Sequence, residues 1–110
     1  SACHGVEGYC GSGVQVAALH DAEWREKARA QGVAVLYIHA LNPFGFSHIR
    51  RVTHENVDLN RNWGVNWKED WNRSGCYGDA AITGGEYAHS EPETQALAGF
   101  LVVQQVQVQE

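Results

Sequence analysis

A histidine and a glutamate near the start of the chain, His4 and Glu7, are spaced so that both side chains could bind one metal ion. Each is followed by a glycine, a residue that lets the main chain come close to an ion. Zinc accepts imidazole nitrogen and carboxylate oxygen, and a catalytic zinc site uses three protein ligands and leaves one position for water. The pair therefore predicts two ligands of a zinc site. The alternative for so short a motif is a surface loop with an exposed His and Glu.

A second group of polar side chains follows about fifty residues later. Asn60 and Arg61 offer amide and guanidinium donors that together suit a carboxylate. Arg51, a short loop upstream, could polarise a carbonyl group or stabilise a developing oxyanion. The alternative is a polar loop in which Asp58 pairs with Arg51 or Arg61.

The charge balance argues against a nucleic-acid partner. The chain has 8 Lys and Arg against 13 Asp and Glu, which gives a net charge of -5, and its basic residues form no cluster. No apolar run approaches the length of a membrane span, and no signal-peptide pattern is present. We therefore predict no nucleic-acid and no membrane partner, and the sequence does not indicate a compartment.

The three cysteines provide a rival metal site. Cys3 and Cys10 could combine with His4 in a structural zinc site. Such sites normally use four ligands in paired short spacings, and Cys76 stands apart from the others. The spacing therefore favours the His–Glu pair over a cysteine site.

The first half of the chain predicts a helix followed by a buried strand. Small apolar residues recur at helical spacing over about 12–31, and Gly32 supplies a helix stop. Residues 33–41 (VAVLYIHAL) are apolar on both faces and rich in β-branched side chains. This pattern is typical of a central strand in a parallel sheet.

The second half predicts a long surface loop, a helix and a further strand. Residues 63–89 show no clean period, which indicates a loop. Ser90 and Glu93 form a capping box that predicts the start of a second helix. Residues 106–109 alternate apolar and polar side chains, as the start of a strand would. This order of elements predicts an α/β fold with crossover connections.

Taken in order, these segments resemble the zinc metallocarboxypeptidase family, and the resemblance covers essentially the whole chain. The motifs that carry it are His4 and Glu7, Asn42-Pro43-Phe44-Gly45, Arg51, Asp58-Leu59-Asn60-Arg61-Asn62, and Ser90 to Thr94. The first sixty residues most resemble a less characterised bacterial branch of that family. The resemblance implies a partial α/β/α sandwich with a mixed, mostly parallel central sheet. It also implies that residues 1–110 are the N-terminal portion of a single catalytic domain.

The resemblance further implies the roles of individual residues. His4 and Glu7 would bind zinc, Asn60 and Arg61 would bind the free carboxylate of a substrate, and Arg51, rather than Arg50, would polarise the scissile carbonyl. The implied activity is that of a zinc-dependent hydrolase, a protease that removes C-terminal residues from peptides.

The same resemblance places two further catalytic groups beyond residue 110: a third zinc ligand, which is a His, and a catalytic Glu. The 110 residues alone are therefore expected to be inactive. Two alternatives stay open. One is a zinc deacylase that cleaves N-acyl amino acids with the same ligands. The other is a non-catalytic binding fragment that keeps the carboxylate pocket.

Overall fold

The computed structural model describes residues 1–64 and 82–108, which belong to two compact units, Ser1–Arg51 and Val52–Glu110. The elements of the first unit are a 3-10 helix η1 and three α-helices: η1 Gly5–Glu7, α1 Gly8–His20, α2 Ala22–Ala30 and α3 Pro43–Ser47. The second unit contains a 3-10 helix and one long α-helix: η2 Leu59–Arg61 and α4 Pro92–Val108.

The predicted α/β/α sandwich with a mixed, mostly parallel central sheet is wrong. The described residues are mainly helical and form no sheet; their one strand-like pairing is an isolated parallel bridge between Val57 and Thr83. Residues 33–41, predicted as a buried central strand, belong to no strand, and Val33 and Leu36 are 55% and 56% exposed. A strand exists only where a neighbouring chain segment satisfies its main-chain hydrogen bonds. An apolar, β-branched composition supplies no such partner.

The single helix predicted over about 12–31 is two helices that meet at Asp21. The Asp21 carboxylate accepts a hydrogen bond from the main-chain N–H of Trp24, which makes Asp21 the N-cap of α2. Its extended backbone, with φ -80° and ψ 102°, ends α1 at the same point. The predicted stop is confirmed: α2 ends at Ala30, and Gly32 has a positive φ of 64°.

Asn42 organises the end of the first unit from a fully buried position. Its side-chain oxygen accepts from the N–H of Gly45 at 2.8 Å and so caps α3. Its main-chain N–H donates to the carbonyl of Ala2 at 2.9 Å. Its amide nitrogen reaches the carbonyl of Arg51 at 3.4 Å. One residue therefore links the N-terminal segment, through its main chain, with α3 and the last residue of the unit, through its side chain.

Asn62 has the corresponding position in the second unit and is also fully buried. Its amide nitrogen donates to the carbonyls of Gly84 at 2.8 Å and Tyr87 at 3.1 Å, and to the Ser90 hydroxyl at 2.9 Å. Its oxygen accepts from the Thr94 hydroxyl at 2.6 Å. These bonds fasten the segment before α4 to the end of η2.

The capping box predicted at Ser90 is wrong in its detail. Helix α4 begins at Pro92, and the Ser90 hydroxyl donates to the side chain of Glu91 instead of capping the helix. The N–H of Glu91 donates to the side-chain oxygen of Asn62 at 3.1 Å. A group distant in sequence thus takes the place at the helix start that a local serine was predicted to fill.

Two further predictions concern the second unit. Much of the predicted loop over 63–89 lies outside the described residues, since 65–81 are not among them. The strand predicted at 106–109 is wrong for 106–108, because α4 continues through Val108. Within the described residues, no helix combines the length and hydropathy that a membrane crossing requires.

We predict that Asn62→Ala destabilises the chain strongly. The substitution leaves several buried main-chain and hydroxyl groups without their partner, which costs about 3 kcal/mol of the free energy of unfolding. Urea unfolding followed by circular dichroism measures this loss. Asn60→Ala, which removes an exposed amide of the same type, is the matched control and should change the free energy of unfolding by less than about 0.5 kcal/mol. Equal effects of the two substitutions would contradict the role of Asn62.

Candidate metal centre

His4 and Glu7 are brought together by the short 3-10 helix η1. His4 is the N-cap of η1 and Glu7 is its last residue, and the N–H of Glu7 donates to the carbonyl of His4 at 3.0 Å. In a 3-10 turn, side chains three residues apart lie on the same side of the helix. The Nδ1 atom of His4 is consequently 3.3 Å from Oε2 of Glu7. The predicted pair therefore converges, and the two side chains do not point to separate regions of the surface.

This geometry fits two ligand positions of a zinc ion. Nitrogen and oxygen ligands that each lie about 2.1 Å from a tetrahedral ion are roughly 3.4 Å apart, and the distance between Nδ1 of His4 and Oε2 of Glu7 is 3.3 Å. No group of three or more His, Cys, Asp or Glu side chains is placed to hold a metal within residues 1–64 and 82–108. The described part of the chain thus offers two candidate ligand side chains, and both come from one turn.

Arg51 contacts both members of the pair from the opposite end of the first unit. Its Nη1 forms an ion pair with Oε1 of Glu7, and its Nη2 lies 3.0 Å from Nε2 of His4. The three side chains are partly exposed, with 21% of His4, 53% of Glu7 and 34% of Arg51 accessible. Water therefore screens the ion pair, and its contribution to stability is about 1 kcal/mol or less.

Main-chain contacts bring Arg51 to η1. The N–H of Val6 donates to the carbonyl of Arg50 at 3.0 Å, and the N–H of Arg50 donates to the carbonyl of Gly45 at 2.9 Å. Gly5 makes this approach possible: its φ is 45°, and a Cβ at this position would overlap the Arg50 carbonyl oxygen. A residue with a side chain would be strained in this left-handed conformation and would also push the two segments apart.

Asn60 and Arg61 belong to the second unit. Both lie in η2, whose N-cap Asp58 is fully buried and accepts from the N–H of Asn60 at 3.0 Å. The Asn60 side chain is exposed, and Arg61 is partly exposed. The buried carboxylate of Asp58 therefore shapes the turn that carries Asn60 and Arg61.

The rival cysteine site gains no support. Cys3, His4 and Cys10 do not form a metal-binding group in the described part of the chain. Cys10 is exposed on α1, and Cys3 is partly buried. Cys76 lies outside the described residues.

His39 makes a contact that its sequence position did not indicate. The ring is exposed, and its Nε2 lies 2.6 Å from the Ser12 hydroxyl. The ring also meets Phe46 edge-on at 5.3 Å between centroids. Both contacts serve to join the segment before α3 to the other helices of the first unit.

The contact of Arg51 with the two ligand side chains is the feature of this site that sequence reasoning missed. Arg51 was singled out for a role toward a substrate carbonyl and not for contact with Glu7. Forty-four residues separate it from Glu7, and no local period relates residues so far apart.

We predict that Gly5→Ala disrupts the centre. The left-handed φ and the overlap with the Arg50 carbonyl together cost about 2 kcal/mol or more of the free energy of unfolding, as measured by urea denaturation. Gly13→Ala is the matched control, because Gly13 lies within α1 and a Cβ there meets nothing within 4 Å. That substitution should raise the free energy of unfolding by up to about 1 kcal/mol. A neutral Gly5→Ala would contradict the close approach.

Comparison with known proteins gives one finding. No curated protein and no solved structure gives a significant match to the chain. The model of one protein family matches residues 1–92, which include His4, Glu7, Arg51, Asn60 and Arg61. The chain therefore belongs to the family described as "Protein of unknown function (DUF2817)".

Proposed function

We propose that this chain belongs to a zinc metallocarboxypeptidase-like hydrolase in which His4 and Glu7 are zinc ligands. The observation that carries the proposal is the convergence of Nδ1 of His4 and Oε2 of Glu7 to 3.3 Å on one turn. A nitrogen and an oxygen held at this spacing on one turn suit two ligand positions of a single zinc ion. A bound zinc ion would supply Lewis-acid polarisation of a carbonyl group and activation of water.

Arg51 is suited to act on the substrate beside this pair. Its guanidinium lies against the two ligand side chains, so a carbonyl group brought to them would meet a fixed positive charge. A preorganised cation at a developing oxyanion is among the strongest sources of rate enhancement. We assign Arg51 this role in the proposed reaction, while His4 and Glu7 hold the metal.

Asn60 and Arg61 supply the proposed recognition of a free carboxylate. The Asp58 cap fixes the main chain of η2, in which Asn60 is exposed and Arg61 is partly exposed. A guanidinium can bind a carboxylate through two parallel hydrogen bonds, and a neighbouring amide adds a third donor. The proposed substrate is therefore a peptide with a free C-terminus, and an N-acyl amino acid presents the same carboxylate.

We expect zinc binding to require both ligand side chains. In equilibrium dialysis with zinc and a competing chelator, His4→Ala and Glu7→Gln should each weaken zinc binding at least tenfold, because each removes one of two convergent donors. His20→Ala is the matched control, since His20 is exposed at the end of α1 and should leave the zinc affinity unchanged. Zinc binding that is insensitive to His4 and Glu7 would refute the proposed metal centre.

We expect Arg61→Ala to impair cleavage of substrates that have a free carboxylate. In the longest encoded protein that contains these residues, the substitution should lower kcat/KM on the order of 100-fold, because it removes a charged partner of the carboxylate. Arg25→Ala, which removes an exposed guanidinium from α2, is the control and should have no effect.

The substrate set tests the activity itself. The longest encoded protein that contains these residues should cleave a peptide with a free C-terminus and should not cleave its C-terminally amidated form. Cleavage of N-acyl amino acids alone would replace the peptidase with a deacylase. Absence of both activities in a protein that binds zinc would leave a binding function and contradict the proposed hydrolase.

A further inference from the structure

The two ring nitrogens of His4 and the two carboxylate oxygens of Glu7 have different partners. Nδ1 of His4 and Oε2 of Glu7 face each other at 3.3 Å. Nε2 of His4 and Oε1 of Glu7 both face the fork of the Arg51 guanidinium, with Nη2 at 3.0 Å from Nε2. Arg51 thus contacts each side chain through the atom that is not turned toward the other.

The contact with Arg51 determines which nitrogen of His4 carries a proton. A guanidinium has only hydrogen-bond donors, so Nε2 of His4 must accept. In a neutral imidazole one nitrogen donates and the other accepts, which places the proton on Nδ1, facing Glu7. The same nitrogen, Nδ1, is the one that converges with Oε2 of Glu7 at the spacing of two zinc ligands.

These two arrangements of His4 exclude each other. A metal bound at Nδ1 needs that nitrogen unprotonated, which moves the ring proton to Nε2. A protonated Nε2 cannot accept from Arg51, so the contact between Nη2 of Arg51 and His4 must break. The Arg51–Glu7 ion pair has no such conflict, because it uses Oε1 and leaves Oε2 toward His4.

We propose that Arg51 is a positioning residue that competes with the metal for His4: it holds the ring in the Nδ1–H tautomer, and metal binding releases it from the ring. The proposal rests on the proposed function, since it takes His4 and Glu7 as the zinc ligands. Release from His4 ends the contact of Nη2 of Arg51 with the ring, and the proposed function uses Arg51 as a donor to the substrate carbonyl. Metal loading and readiness to bind substrate would then be linked through one side chain.

Competition between Arg51 and the metal for His4 predicts the direction in which the zinc affinity changes when Arg51 is replaced. A ligand that must displace an existing contact binds more weakly by the factor that the contact contributes. The positive charge of Arg51 adds a repulsion toward a divalent cation in the same place. Removal of the Arg51 guanidinium should therefore strengthen zinc binding, whereas a residue that only supported the ligands would weaken it when removed.

The test combines the tautomer of His4 with the zinc affinity of two neighbouring arginine variants. In long-range nitrogen–proton NMR spectra, the wild-type chain without added zinc should show His4 as the Nδ1–H tautomer. Arg51→Gln should shift the ring toward Nε2–H and raise the zinc affinity on the order of tenfold. Arg50→Gln is the matched control for charge: its guanidinium lies over the Phe44 ring, at 6.0 Å from the centroid, and its loss should change neither readout.

The possible failures are distinguishable. An Nε2–H tautomer in the wild-type chain overturns the proposal, and this reading does not depend on any variant or on zinc. Weaker or unchanged zinc binding by Arg51→Gln also overturns it, while the loss of zinc binding in His4→Ala and Glu7→Gln would still uphold the proposed metal centre. If those two ligand variants bind zinc as the wild type does, the proposed function fails as well.

Discussion

A side-chain amide removed from water must find partners for its oxygen and for its NH2 group, or the fold loses stability. Asn42 and Asn62 are both fully buried; Asn42 bonds to Gly45 and Arg51 of its own unit, and Asn62 bonds to groups more than twenty residues away. The buried apolar side chains of the described residues are few: Ala2, Val52, Val57 and Leu59. Hydrogen bonds from buried amides therefore hold together turns that a larger apolar core or a sheet would otherwise fasten. Each unit contains one such buried asparagine.

The candidate metal centre depends on the buried Asn42 of the first unit. Asn42 caps α3, bonds to the N-terminal segment and reaches the carbonyl of Arg51. The turn that carries His4 and Glu7 is fastened to the same region through the bond from Val6 to the Arg50 carbonyl. The fork of Arg51 consequently meets the ligand pair at a fixed position. A site built on short turns remains ordered here because buried polar groups hold the turns in place.

The match to the family described as "Protein of unknown function (DUF2817)" covers residues 1–92. The hydrolase chemistry is a proposal that rests on the contact between His4 and Glu7. The five motifs, taken in sequence order, indicated the residues on which this proposal rests. The predicted sheet was wrong because the apolar segment 33–41 has no strand beside it in the described residues. Hydrophobic pattern reports which residues avoid water, and strand formation also requires a partner for the main chain. The predicted capping box at Ser90 was also wrong. The N–H of Glu91, just before α4, donates to the side chain of Asn62, which is distant in sequence.

The sequence by itself determined the helix stop at Gly32 and the three-residue spacing of His4 and Glu7. In the 3-10 turn that the chain forms there, this spacing places both side chains on one side. Only the tertiary structure decided that Arg51 meets that pair and which ring nitrogen of His4 it occupies. That contact joins residues at opposite ends of the first unit through a glycine with positive φ and a buried asparagine. The long-range hydrogen bonds that create it have no period in the sequence, so the sequence indicated His4, Glu7 and Arg51 separately and not their contact.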